Sequence, residues 1–229
     1  MQVKRLHSWK VTYSQAIAIQ SRLSSRLSFR ALPKTPKLVA GVDVSCNRHS
    51  DIIYAGIVVL SLPDLAVVEK ITVEGRAVFP YIPGLLSFRE LPVVLQAFRK
   101  LKSYPDAVIC DGQGIAHPRG FGLAAHCGLL LDLPTVGCAK SRLIGKHGSV
   151  SSKRWSTKPL LIDGKIVGQV VRSKAGVKPL YVSPGNNIDI PSSLQLIRHC
   201  TCRYRLPEPT RQAHLLVNRF RREKSSNNQ

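Results

Sequence analysis

The sequence is poor in acid. Its 229 residues hold 13 Asp+Glu against 34 Lys+Arg, a formal net charge of +21. Residues 1–42 carry eight Lys/Arg and no acid, and residues 133–162 carry six and again none. A chain this basic repels itself, and a polyanionic partner relieves the repulsion. Nucleic acid fits that role first and an anionic membrane surface second. No stretch reaches the ~18 consecutive apolar residues of a membrane span. Lys4 and Arg5 are not followed by the apolar run of a secretory signal. No two cysteines stand at C-x-x-C spacing, which removes the zinc-ribbon and thioredoxin-like readings. There is no internal repeat and no linker-like tract before the tail.

What is present is enough to fold. Hydrophobic residues make up 44% of the chain, which excludes wholesale disorder. The six cysteines include several in apolar runs, such as Val108-Ile109-Cys110 and Val136-Gly137-Cys138, and read as buried thiols of a reducing compartment. The acid-free, Arg/Ser-rich start has a presequence-like composition. Trp9-Lys10-Val11-Thr12 leading into Ala16 to Gln20 nevertheless reads as the cap and first turn of a helix, so a cytoplasmic protein is expected. Residues 1–224 are expected to form one domain, with 225–229 as a polar tail.

Hydrophobic spacing predicts the elements. Residues 13–29 read as a helix, with Ala16, Ile19, Leu23 and Leu27 on one stripe. Leu38 to Val44, Ile52 to Leu60 and Leu65 to Val73 read as three strands, the last two joined at Ser61-Leu62-Pro63-Asp64. Leu85 to Leu101 has a helical stripe in which Pro92 predicts a kink or a late start near Arg89. A strand over 107–112, a helix over 122–131 and a strand over 134–138 follow. Residues 158–183 read as short strands with a hairpin at Asp163-Gly164. Helices over 188–203 and 209–222 close the chain. An antiparallel meander followed by parallel strands, flanked by helices, is a mixed α/β sheet of the ribonuclease-H-like plan.

Asp43 and Asp111 each end a strongly apolar strand. On neighbouring parallel strands, ~4.8 Å apart, their carboxylates would share one small space. A divalent cation resolves that repulsion. Read singly, each is equally a turn residue. Pro80-Tyr81-Ile82-Pro83 is a stiff loop carrying an aromatic and an aliphatic, and Gly84 permits a sharp exit. Such a loop can wedge between stacked bases or simply plug a surface. His126 sits inside an apolar helix and reads as a core residue. His7 and His49 carry no readable signal. Lys146, Lys153, Arg154, Lys158 and Lys174 flank the β-rich stretch as a solvated face or as contacts to a nucleic-acid backbone.

The motifs together resemble the endonuclease V family. Pro80 to Gly84 with Phe88-Arg89-Glu90, Gly41-Val42-Asp43-Val44-Ser45, and Asp111-Gly112-Gln113-Gly114 through Arg119 are similar to its blocks. So are Gly128 to Lys140, Ser183-Pro184-Gly185 and Pro207 to His214, and all stand in family order. A small Cys46 stands where a bulkier residue is usual. The resemblance implies Asp43 and Asp111 as metal-binding carboxylates, with Glu90, Lys140 and His214 completing the catalytic set. His214 either positions water or protonates a leaving group. The resemblance further implies Pro80, Tyr81, Ile82 and Pro83 as the wedge, and Gly84, Leu86, Gly112, His117 and Gly137 as the base pocket. The implied enzyme is a monomeric, Mg2+-dependent endodeoxyribonuclease, with Mn2+ as a substitute. It would act on DNA containing deoxyinosine and cut the second phosphodiester bond 3′ to the lesion. Cleavage of inosine-containing RNA and a non-catalytic nucleic-acid-binding role are the alternatives. No membrane partner is expected.

Overall fold

The computed structural model describes residues 1–47 and 50–226. Thirteen elements follow one another. They are α1 (Tyr13–Ser24), β1 (Leu38–Cys46), β2 (Ile52–Ser61), β3 (Val67–Arg76), α2 (Leu86–Lys100), β4 (Ala107–Cys110), α3 (Leu123–Leu131) and β5 (Thr135–Ala139), then β6 (Thr157–Ile162), β7 (Lys165–Val171), β8 (Leu180–Pro184), α4 (Ile190–His199) and α5 (Glu208–Ser226). The strands form one sheet in the order β3-β2-β1-β4-β5-β8-β7-β6. The pairs β1/β4 and β4/β5 are parallel, and every other neighbour is antiparallel. This is the expected mixed sheet, lengthened at one edge by the β6–β7 hairpin.

Strand alternation sends side chains to two faces. Ala40, Val42, Val108 and Cys110 face a core shared with α2 and α3, while Val39, Ile109, Val136 and Cys138 face a core that includes α4. On that second side, α5 lies across β1 and β2, with Ala213 packed on Val58 and Leu60. All six cysteines are free thiols; four are buried, and Cys46 and Cys202 are exposed.

Several boundaries differ from the sequence reading. α1 stops at Ser24 because Ser24 and Ser25 hydroxyls donate back to Ser21 and Arg22 carbonyls, and the chain then crosses to Asn186 and Ser192. Thr12 caps its start in a reciprocal box with Gln15. α2 begins at Leu86 and carries Pro92 inside it, with no late start at Arg89. α4 ends at His199, and residues 200–207 are loop. α5 continues through Ser226, two residues into the expected tail; 227–229 lie outside the described residues, as does His49. Among the described residues no helix is long and apolar enough to cross a membrane.

Candidate active site

The parallel register of β1 and β4 pairs Val42 with Cys110, so Asp43 and Asp111 are the next residues on adjacent strands. Asp111 leaves the ladder immediately: its N–H donates to Val42 O at 3.2 Å, and Gly112 N–H turns back to Cys110 O at 2.9 Å. Both carboxylates therefore stand just past the last rung of the parallel β1/β4 ladder, where α/β sheets leave an open crevice; β1 itself does not end at the acid but runs on to Cys46 against β2.

His214 reaches them from α5 through a matched repeat. Two strand residues advance ~6.6 Å and four helical residues ~6.0 Å, so a strand's i, i+2, i+4 can meet a helix's i, i+4, i+8. Gly41, Asp43 and Ser45 meet Thr210, His214 and Asn218 in this way. A Cβ on Gly41 would lie 2.0 Å from Pro209 C and 2.5 Å from Thr210 N, so only glycine admits the helix start. His214 Nδ1 lies 2.6 Å from Asp43 Oδ2, and Ser45 Oγ donates to Asn218 Oδ1 at 2.9 Å.

Ligand atoms of Asp43, Asp111 and His214 all lie within 4.8 Å of one another. This is the one such cluster among the described residues. Burial, then the charge of Asp111, raises the Asp43 pKa, while the His214 contact opposes the rise. Glu90 approaches from α2. Burial of its carboxyl and the charges of Asp43 and Asp111 push its pKa up to about 8, although the residue keeps some exposed surface. It holds its proton near neutrality and adds no third negative charge. Two partly buried carboxylates and an imidazole within this span are a chemically competent set for a hard divalent cation.

Lys140, just past β5, forms an ion pair with Asp111. Sequence reasoning missed what fixes it. The β5–β8 ladder ends at Ala139 and Tyr181, and Pro179 has no N–H with which to prolong it. Arg205 Nη2 closes the gap, donating to Lys140 O and Pro179 O at 2.8 Å each. In the sequence Arg205 is one basic residue in a basic run, with no distinguishing signal.

A cavity of about 370 Å³ opens beside the acids. Asp111 and Lys140 line it on the catalytic side, and Tyr81, Ile82 and Pro83 on the other. Pro83 and Gly84 are the central residues of a turn closed by Leu85 N–H to Ile82 O at 2.9 Å, and Gly84 has φ +79°. Ile82 packs on the Phe79–Phe88 cluster, whereas Tyr81 is 70% exposed. Pro80 is exposed and lies outside the cavity lining.

Of the residues assigned to a base pocket, Gly84, Leu86, Gly112 and His117 line the cavity. Gly137 does not. It is a buried β5 residue, and a Cβ there would meet Gly114 N at 2.3 Å and Gln113 C at 2.6 Å, so its bare backbone lets the 112–114 loop lie on the strand. His117 is also committed to structure. Its Nδ1 accepts from Arg119 N–H at 3.2 Å, so the proton sits on Nε2, which donates to Gly84 O at 2.9 Å. Burial lowers its pKa to about 4 and keeps it neutral. Gln20 and Arg119 donate to the same Gly84 carbonyl. His126 is a fully buried, hydrogen-bonded core residue, as expected, and its partners are Ser87 and the unread His7.

A carboxylate pair at the end of the parallel ladder, a lysine beside it and an adjoining cavity, on a meander that passes into parallel strands, have the layout of a ribonuclease-H-like nuclease. Residues 21–215 match the endonuclease V family. A Nostoc punctiforme endonuclease V is 45% identical over 218 residues, covering 95% of this chain and 99% of that one. The crystal structure of endonuclease V from Streptomyces avermitilis superposes with a TM-score of 0.90 at 39% identity, covering 98% of this chain and all of that one. The chain belongs to the endonuclease V family. A Ciona intestinalis endonuclease V, solved with a 24mer DNA containing an inosine followed by a ribo-adenosine, shares the fold at 23% identity and a TM-score of 0.79, over 92% of this chain and 98% of that one.

Proposed function

We propose that this protein is a divalent-cation-dependent endonuclease that recognises deoxyinosine in DNA. It cuts the second phosphodiester bond 3′ to the lesion, leaving a 3′-hydroxyl and a 5′-phosphate. The observation that carries the reading is the parallel pair Asp43/Asp111, joined by His214 and opening onto a cavity edged by Tyr81. The DNA seen with the Ciona relative supports the substrate, and family membership supports the position of the cut.

Asp43 and Asp111 would hold the cation, Mg2+ by their oxygen ligands, with Mn2+ able to take its place. When bound, it polarises the scissile phosphate and lowers the pKa of an attacking water. Lys140 places an ammonium where charge develops on a phosphate oxygen, and Arg205 fixes its backbone. With His214 Nδ1–H donating to Asp43, the imidazole Nε2 is left to accept a proton from water. Tyr81 enters the stack at the lesion, where unstacking costs a few kcal/mol and least at a mispaired base.

An end-labelled duplex with one deoxyinosine, incubated with Mg2+, tests the proposal. A single cut one nucleotide beyond the lesion's 3′ neighbouring bond is expected, and Asp43→Ala abolishes it. No cut, or an unaffected variant, refutes it. A matched RNA strand in the same assay reads the sugar preference.

A further inference from the structure

Four polar side chains that line the cavity are buried: Gln20, Ser87, Gln113 and His117, none more than 8% exposed. Gln20 Nε2 donates to Gly84 O and Phe121 O, and its Oε1 accepts from Arg119. His117 is occupied at both nitrogens. Ser87 and Gln113 remain.

The polarity at Ser87 is set by a chain of hydrogen bonds that starts outside the cavity. His7 Nδ1 lies 2.7 Å from Ser8 O, and a carbonyl can only accept, so Nδ1 carries the proton. Burial lowers the pKa of both His7 and His126, so each ring is neutral with a single N–H. His7 Nε2 is then an acceptor, and His126 Nε2, 2.7 Å away, must donate to it. That leaves His126 Nδ1 as an acceptor, and Ser87 Oγ–H donates to it at 3.0 Å. With its one hydrogen directed into the protein, Ser87 Oγ can offer a ligand only lone pairs. Gln113 agrees: its Nε2 donates to Ser141 O, and its buried Oε1 has no donor among the described residues.

We propose that Ser87, held as an obligate acceptor by His126 and His7, selects bases that present a ring N–H at this wall of the cavity. The inference rests on the inosine reading above and deepens it. Hypoxanthine in its lactam form carries N1–H, whereas adenine presents N1 as a bare acceptor. Adenine's N1 would set two acceptors against each other, and an unmet buried polar group is costly. The cavity thereby prefers the lactam class, and the discrimination originates in His7 and His126, behind the cavity wall that Ser87 lines.

The test compares full-length protein with Mg2+ on duplexes carrying deoxyinosine or purine 2′-deoxyriboside, the same ring with neither N1–H nor the 6-oxo group. The reading is the ratio of kcat/KM on the two duplexes. Ser87→Ala should lower the inosine preference about tenfold, the size of one buried hydrogen bond. His7→Ala, which frees His126 to adopt either tautomer, should lower it by a smaller factor and keeps the test available if Ser87→Ala does not fold. A preference unchanged in both variants, whether the two rates fall together or stay put, overturns the inference while leaving the activity intact. Wild-type protein that cuts neither duplex refutes the activity reading itself, and the inference with it.

Discussion

Two strand-borne carboxylates meet the Glu90 carboxyl from α2, whereas the buried polar side chains lining the cavity beside them, Gln20, Ser87, Gln113 and His117, carry no formal charge. Burial and the charge of Asp111 raise the electrostatic cost of the Asp43 carboxylate, and Glu90 stays protonated in their company. The cluster lacks the positive charge that would make it comfortable; Lys140 answers one carboxylate, and His214 stands against the other. The cavity is the reverse. His117, Gln20, Arg119 and the Gly84 carbonyl satisfy one another within the protein. On the proposed function, a cation would complete one region and a base would enter the other. Asp111 and Lys140 line both, and they are the hinge between the two tasks.

If that division holds, charge removal should silence cutting without blunting lesion binding. Asp111→Asn should lower kcat by about a thousandfold, ~4 kcal/mol of lost stabilisation at the phosphate. Its affinity for an inosine duplex, measured by fluorescence anisotropy in Ca2+, should stay within about threefold of wild type, a change worth under ~1 kcal/mol. An affinity loss matching the rate loss would show that the two regions do not separate.

The regions should also carry opposite pH signatures in the cation-free protein. Glu90 has a folded pKa of about 8, above its ordinary 4.5, so it binds protons more tightly folded than unfolded. The stability it lends is fully present below the ordinary value and is lost as pH rises through about 8. Asp43, also raised, acts in the same direction. His117 is lowered to about 4 from 6.5, so its contribution is present above 6.5 and lost as pH falls through about 4. Thermal unfolding in EDTA should therefore show an alkaline decline that Glu90→Gln flattens and an acid decline that it leaves in place. Mg2+ should stabilise more at the alkaline end, where the carboxylates are charged. A single decline abolished by both Glu90→Gln and His117→Gln would merge the regions.

The charged region was the more legible of the two in sequence, for a physical reason. Asp43 and Asp111 each follow a strongly apolar run, and the sequence places their carboxylates together on the condition that the two strands are parallel neighbours, which the β1/β4 register meets. The structure brings them together with His214 because Gly41 admits α5 at close range. Much of the cavity was implied by family motifs rather than derived. Its working parts lie in residues whose type is uninformative alone: Ser87, His126, and a His7 from the far end of the chain. A hydrogen bond spanning 119 positions leaves no periodicity to read. Gly137 shows the converse error, since a glycine beside a site looks like room for ligand when it is room for the protein's own backbone. Helix ends at Ser24 and His199 were overrun because apolar spacing continues past them, and local serine bonds and a tertiary crossing end the first.

Tyr81 offers the smallest and sharpest break, because it belongs fully to neither region. Its ring is 70% exposed at the cavity edge, while Ile82 beside it is anchored on the Phe79–Phe88 cluster. Removing the ring should therefore leave folding unchanged, within about half a kcal/mol, as for surface changes generally. Base–aromatic stacking is worth ~1–3 kcal/mol, so Tyr81→Ala should weaken inosine-duplex binding about tenfold. The effect should be absent on undamaged duplex, which is held through the phosphate backbone by a chain of net charge +21. Raising salt should then weaken wild type and variant with the same slope, since no cation is lost in the substitution. A shallower slope in the variant would mean that Tyr81 helps to seat the backbone, and the wedge would join the charged side of the comparison.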